Sequence, residues 1–258
     1  MESLIKSTDW IMAEVKPYSL FHLVFFATGI ICILIITNTT SKFDQKKSDM
    51  FLFCLGIFLL MTEVYKQLFY YYVITPYDYS WWIFPFQMCS IPMYLTIIQY
   101  FVKDERIKTC LFDYIFSFAL FGGLAAFIEP SGIIHEYWTL TLHSFIWHLV
   151  LILMSIHIFR NNNISFKSFK NPLLLFLVLL VIALAINFFV VSITGEYINM
   201  FFAGPEVSTI ILFDKISEKF GWLLNDMLFF PIIIALVYTM RRILLKLRKR
   251  TFKQVRLD

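Results

Sequence analysis

A chain of 258 residues that is 59% hydrophobic, 19% aromatic and 16% charged cannot cover a soluble globule with polar surface, so a bilayer must be its solvent. The net charge of +4 comes without a folded basic surface, which excludes a nucleic-acid binder. The four Cys form neither a CxxC pair nor a disulfide framework.

In residues 1-17, Leu4, Ile5, Ile11, Met12 and Val15 gather on one side of a helical projection with Trp10 close by, which predicts an interfacial amphipathic segment. No cleavable signal peptide is expected, because the first apolar run starts late and lacks a small-residue cleavage site. A helix needs about 20 apolar residues to cross a core of roughly 30 Å. Such runs fall at about 18-38, 50-71, 84-102, 110-128, 138-159, 171-193 and 222-245. The expected fold is therefore all-α: a polytopic, seven-transmembrane-helix bundle over 18-245, followed by a basic tail at 246-258. The connection at 194-221, with Gly195, Gly204, Pro205 and an apolar run around Ile210 to Phe213, is long enough to be functional.

Lys and Arg set the orientation. Lys42, Lys46 and Lys47, then Lys103, Arg106 and Lys108, then Arg160, Lys167 and Lys170 fall in alternate connections, and the tail adds eight more from Arg241 to Arg256. These segments are expected in the cytoplasm, with the N-terminus outside and the whole in the plasma membrane. Tyr70, Tyr71, Tyr72, Tyr77, Tyr79, Trp81 and Trp82 would mark the outer interface.

Polar groups at membrane depth are expensive, so their positions are the best pointers to function. Converting sequence to depth at about 1.5 Å per residue puts most of them in the outer half. These are His22, then Glu63, Lys66 and Gln67, then Gln87, Cys89 and Ser90, then His143, Ser144 and His148, and finally Asn187, Asn225 and Asp226. The inner half reads as plain hydrocarbon. A shared pocket open outward follows. On the fifth span Thr141, Ser144, His148 and Ser155 make one polar stripe, with His143 roughly 140° away from it. Pro92 cannot donate to the carbonyl of Met88, and so opens the backbone beside Cys89; Pro231 would do the same for Met227. Cys89 would lie about 8 Å and His148 about 15 Å below the outer face, so depth alone pairs the thiol better with His143.

Several of these groups fit structural roles equally well. Glu63 and Lys66 suit an ion pair at three residues' spacing, His148 suits an interhelical hydrogen bond, and Cys32, Cys54 and Cys110 suit small apolar positions. His22, His143 and His148 lack zinc-motif spacing. No metal and no cofactor is expected.

The stretch Phe84-Pro85-Phe86-Gln87-Met88-Cys89-Ser90-Ile91 resembles the Pro-aromatic-His-aliphatic-Cys signature of YwaF-like integral membrane proteins. Gly123-Leu124, Pro130 and Ser144-Phe145-Ile146-Trp147-His148-Leu149 are similar to that family's segment ending in an intramembrane His. Thr194-Gly195-Glu196-Tyr197 with Gly204-Pro205 is similar to its Gly-Thr-Asn-Tyr and Lys-Pro pattern. Gln87 stands where many members have His, and Glu196 replaces an Asn. Because the family includes a vertebrate acyltransferase of ether phospholipids, the resemblance implies acyl transfer through a Cys nucleophile at Cys89 with an essential His at His148.

The leading expectation is thus a lipid acyltransferase or thioesterase-like enzyme acting on membrane phospholipids or another acyl substrate. Cys89 attacks a carbonyl, His148 serves as base and acid, and Gln87 or Asn187 donates to the oxyanion. The alternative is a permease, channel or small-solute-binding protein in which Glu63, Lys66, Asp226 and the histidines hold the solute. A non-catalytic sensor or scaffold is a third reading.

Overall fold

A computed structural model describes residues 1–12, 16–162, 164, 169–196, 198–205, 210 and 213–254, with side chains through Arg248. Val15, Lys167, Tyr197, residues 211–212 of the apolar run and the last four residues of the tail lie outside the described residues. Helices account for all the regular structure among those described: α1 (Glu2–Lys6), α2 (Leu20–Thr40), α3 (Gln45–Phe69), α4 (Ile91–Phe101), α5 (Glu105–Tyr114), α6 (Leu120–Ile128), α7 (Trp138–Asn161), α8 (Lys170–Thr194), α9 (Phe213–Phe220) and α10 (Trp222–Gln254). A π-helical turn at Tyr70–Ile74 prolongs α3, and another at Ile115–Ala119 joins α5 to α6.

Among the described residues six helices are long and apolar enough to cross a membrane. The third apolar run is different. It is helical only over Ile91–Phe101, 11 residues, or about 16 Å of rise. Two prolines account for the shortfall. Pro85 disfavours helical backbone at Phe84, which is indeed extended (φ −50°, ψ 130°). Pro92 sits in the first turn of α4, where its missing N–H costs nothing. The expected gap inside a helix beside Cys89 is therefore a helix start.

Other boundaries shift for reasons of capping. Asp44 accepts a hydrogen bond from the Lys47 amide (2.8 Å), and Asp104 accepts from Arg106 (2.7 Å) and Ile107 (3.2 Å). These acidic N-caps start α3 and α5 five residues before the apolar runs do.

The chain divides into two compact units, 1–162 and 163–258. Within the first, α7 packs against α2, α3, α6 and the π-helical turn at 115–119, while α4 lies along α3. Glycine sets two of these close approaches: a Cβ on Gly56 would run into Thr96 on α4, and one on Gly123 would press on the carbonyl of His148. The N-terminal segment straps one end of this unit. Its Ile5 is buried against Phe69, Tyr70, Ile83 and Leu140. Thr8 is hydrogen-bonded to the Tyr65 hydroxyl (2.5 Å), and Met12 donates to the carbonyl of Glu136 (2.7 Å).

In the second unit Phe176 of α8 meets Phe230 of α10 with ring centroids 6.2 Å apart, and Phe169 meets Tyr238 at 5.4 Å. Gly195 ends α8 in the left-handed region at φ 69°. Helix α10 continues through Pro231. Arg241, expected in a solvated basic tail, is only 2% exposed.

Candidate functional site

Residues 81–90 form a short 3-10 turn and an irregular strand of chain before α4. Non-helical backbone at membrane depth is tolerated only where its polar groups are satisfied inside protein or line a cavity. Here three side chains from helices take three of the carbonyls. Gln67 of α3 donates to Ile83 (2.9 Å), Tyr94 of α4 donates to Pro85 (2.9 Å), and Trp147 of α7 donates to Cys89 (3.0 Å). The carbonyl of Gln87 accepts from the amides of Ser90 (2.8 Å) and Ile91 (3.3 Å), which starts α4 directly after Cys89.

This geometry corrects the depth reckoning for Cys89. A helical rise through 84–89 gives about 8 Å, but irregular chain can advance at more than twice that rate per residue. Trp147, beside His148, reaches the Cys89 carbonyl. The thiol therefore starts from backbone at the level of the Trp147 indole, which lies against His143 and is followed in the chain by His148. Cys89 is a free, partly buried thiol.

His148 is oriented by its own helix. Its Nδ1 lies 2.7 Å from the carbonyl oxygen of Ser144, which can only accept. The neutral ring must carry its proton on Nδ1, leaving the Nε2 lone pair open. No hydrogen bond from Nε2 exists among the described residues. The Ser144 hydroxyl is hydrogen-bonded to Nε2 of His135 (2.9 Å), a loop residue whose amide donates to Thr141 (2.9 Å). Burial, with a smaller contribution from the Lys66 charge, pushes His135 down to about 4. His143 lies against Trp147 with ring centroids 5.3 Å apart, and its Nε2 is buried without a partner.

Glu63, Lys66 and Gln67 form a compact group on α3. One oxygen of Glu63 accepts from both Lys66 and Gln67, at 2.8 and 2.7 Å. The Lys66 charge is within electrostatic reach of Cys89, His135, His143 and His148. Sequence reasoning missed the roles of Tyr94, His135 and Tyr114 here. The first two were hidden by lying outside the helical stripes. Tyr114 of α5 is fully buried with its hydroxyl unpartnered.

Asn187 and Asp226 have other work, inside the second unit. The Asn187 amide donates to the carbonyls of Met200 (3.0 Å) and Ala203 (2.6 Å) and accepts from the Met200 amide (2.8 Å). Asp226 accepts from the amide of Gly204 (3.0 Å) and from Asn225 (3.2 Å). Both hold a turn that takes Phe201 and Phe202 to positive φ of 61° and 56°. Because the Asn187 amide is engaged at both ends, it has no donor left for an oxyanion.

The expectation of an apolar inner half is also corrected. His157, near the other end of α7, is fully buried, with Nδ1 3.0 Å from the Thr40 hydroxyl and Nε2 2.8 Å from that of Ser48. The Asn161 amide nitrogen, a donor, lies 3.2 Å from the same Nδ1. That nitrogen must therefore accept, and Nε2–H donates to Ser48. Beside it Asp49 pairs with Lys108 and accepts from Gln45 (2.7 Å), while its carbonyl accepts from Gln99 (3.0 Å). Among the described residues no three His, Cys, Asp or Glu side chains gather as a metal site.

In comparisons with known proteins, the model of the TMEM164 family matches residues 17–242. No curated protein and no solved structure matches the chain. The match spans most of the sequence, and the chain belongs to the TMEM164 family, a family of transmembrane proteins.

Proposed function

For this TMEM164-family membrane protein we propose acyl transfer on membrane lipids, with Cys89 as nucleophile and His148 as general base and acid. The observation that carries the reading is the hydrogen bond from Trp147 to the Cys89 carbonyl, beside a histidine whose tautomer leaves Nε2 able to take a proton. Thiols are intrinsically nucleophilic, but only a small fraction is ionised near neutrality until a base removes the proton. His148 Nε2 accepts the Cys89 proton as sulfur forms a bond to the acyl carbonyl carbon of a lipid ester or a thioester. The tetrahedral adduct collapses, the leaving alkoxide or thiolate takes the proton back from His148, and the acyl chain remains as a thioester on Cys89. An acceptor lipid hydroxyl then gives its proton to His148 and attacks the thioester; water in that position makes the protein a thioesterase instead.

The alternation of Lys and Arg along the chain supports an outside N-terminus, which puts this site toward the outer leaflet. The test uses the purified protein in phospholipid vesicles that carry an acyl-labelled lipid. Wild type is expected to acquire hydroxylamine-sensitive label at Cys89, Cys89→Ala none, and His148→Ala label about 10²–10⁴ times more slowly. Equal acyl-chain distributions in cells expressing equal amounts of wild type and Cys89→Ala would sink the proposal. Solute uptake lost on Glu63→Gln yet untouched by Cys89→Ala would instead favour a permease or a small-solute-binding protein.

A further inference from the structure

We propose that Ser144 is a second acyl-accepting nucleophile, activated by His135, which cleaves neutral carboxylic esters independently of Cys89. The two groups are already in contact: the Ser144 hydroxyl lies 2.9 Å from Nε2 of His135. A nucleophile must be within that reach of its base, and here the two come from different segments, α7 and the loop before it.

The direction of this hydrogen bond follows from what else each group does. A serine or threonine inside a helix can give its proton to a carbonyl three or four residues earlier, as Thr37, Thr62, Thr96, Ser117, Ser155 and Thr194 do in this chain. Ser144 makes no such bond among the described residues. If Nε2 carried the ring proton, the hydroxyl proton would have no acceptor among them. With Ser144 as the donor, the Nε2 lone pair faces the proton that a base must remove.

Both partners are held in place. Ser144 lies six residues past Trp138, about 9 Å along α7, so the loop must turn back beside the helix to meet it. Thr141, fully buried and one turn before Ser144, fixes the loop there: its hydroxyl accepts from the His135 amide (2.9 Å) and donates to the His135 carbonyl (3.1 Å). The Ser144 carbonyl is engaged by His148.

The same two groups meet a second time in the chain, where the Ser48 hydroxyl lies 2.8 Å from Nε2 of His157. That pair is sealed: Ser48 is 1% and His157 0% exposed, and the other ring nitrogen is bonded to Thr40. Ser144 and His135 are both partly exposed, so a substrate can reach them. Burial keeps His135 neutral near pH 7, and Lys66 at the same end of the bundle is already paired with Glu63 (2.8 Å). An uncharged carbonyl suits this setting better than a phosphate. Ser144 Oγ bonds to the acyl carbonyl carbon as its proton passes to His135 Nε2. The adduct collapses, the leaving alkoxide takes that proton, and the acyl group stays on Ser144 as an ester. Water then gives a proton to His135 and attacks, the carboxylic acid leaves, and Ser144 Oγ recovers the proton.

The test uses full-length Cys89→Ala in phospholipid vesicles, with an alkyl fluorophosphonate as the label for an activated serine and p-nitrophenyl butyrate as the ester. Label mapped to Ser144 and ester hydrolysis are both expected, and both should vanish when Ser144→Ala is added. His135→Gln should slow both about 10²–10⁴-fold while its amide keeps a hydrogen-bonding group facing Ser144 and holds the thermal midpoint. Absence of either signal from the Cys89→Ala protein overturns the proposal, as does either signal surviving Ser144→Ala or unslowed by His135→Gln. Should His135→Gln unfold, Ser144→Cys decides: its thiol should be alkylated by iodoacetamide at least about tenfold faster than the exposed Cys32 and Cys54, and equal rates overturn the proposal. Because Cys89 is absent throughout, failure here leaves acyl transfer through Cys89 standing, and a Cys89 that is never acylated leaves this pair standing.

Discussion

The opposite ends of α3 and α7 each hold a buried polar cluster, and they differ in how completely they are bonded. At the end bearing Asn161, both nitrogens of His157 are taken up by Thr40, Ser48 and Asn161, and the Asp49 carboxylate is shared between Lys108 and Gln45, while Gln99 Oε1 has no partner. At the end bearing Trp138, three backbone carbonyls before α4 are held by Gln67, Tyr94 and Trp147, yet the groups capable of chemistry are not. His143 Nε2 has no partner, and His148 Nε2 is open. Satisfied polar groups rigidify a bundle, whereas unsatisfied ones cost stability and are kept where something else engages them. On the proposed reading the first cluster is structural and the second is the site.

Substitutions should therefore separate stability at one end from chemistry at the other. The largest stability effect is expected from Lys108→Ala, which strands Asp49 in a setting where the two side chains are 10% and 12% exposed. Breaking such a pair costs about 3–5 kcal/mol, read as a drop in the thermal midpoint, while Cys89 should still alkylate at the wild-type rate in the protein that remains folded. Loss of Cys89 reactivity with no loss of stability would break the contrast between the two ends.

Trp147→Phe should come next. It removes the donor to the Cys89 carbonyl and keeps the ring, so about 1–3 kcal/mol of stability should go, and acylation should suffer more than alkylation because the thiol loses its position relative to His148. Equal loss in both reactions would mean that Trp147 supports the fold alone.

The smallest effect is a pH dependence that belongs to His135. Its ordinary value near 6.5 is pushed down to about 4, mainly by burial. Between those values the unfolded chain binds more protons than the folded one, so stability falls as pH drops from about 6.5 toward 4 and is flat with respect to this group above 6.5. His135→Gln, which keeps a hydrogen-bonding group facing Ser144, should flatten the midpoint-against-pH curve across that window. A slope unchanged by the substitution would move the titrating group elsewhere.

Much of the helical architecture is written in local chemistry. Runs of apolar residues longer than about 20 mark six long helices because hydrocarbon leaves the backbone no partner but itself, and Asp44 and Asp104 announce helix starts by residue type alone. The polar layer with Glu63, Lys66, Cys89, Ser144 and His148 is legible for the same reason: each is costly in lipid. The third run differs because composition measures apolarity, not continuity, and the irregular chain around Pro85 leaves only Ile91–Phe101 helical without changing how apolar the run is.

What tertiary structure alone decided is which polar groups are already occupied. Asn187 is the same residue whether its amide holds the carbonyls of Met200 and Ala203 or waits for a substrate, and only the folded turn at 200–204 shows which. His157 looks like one more histidine near a helix end until Thr40 and Ser48, more than a hundred residues earlier in the chain, close on it. Tyr114 gives no sign in the sequence at all, since its distinction is a buried hydroxyl without a partner. Helix formation depends on near neighbours and a periodic solvent boundary, so sequence determines it; hydrogen-bond satisfaction depends on side chains brought together from distant segments, and it exists only once the chain has packed.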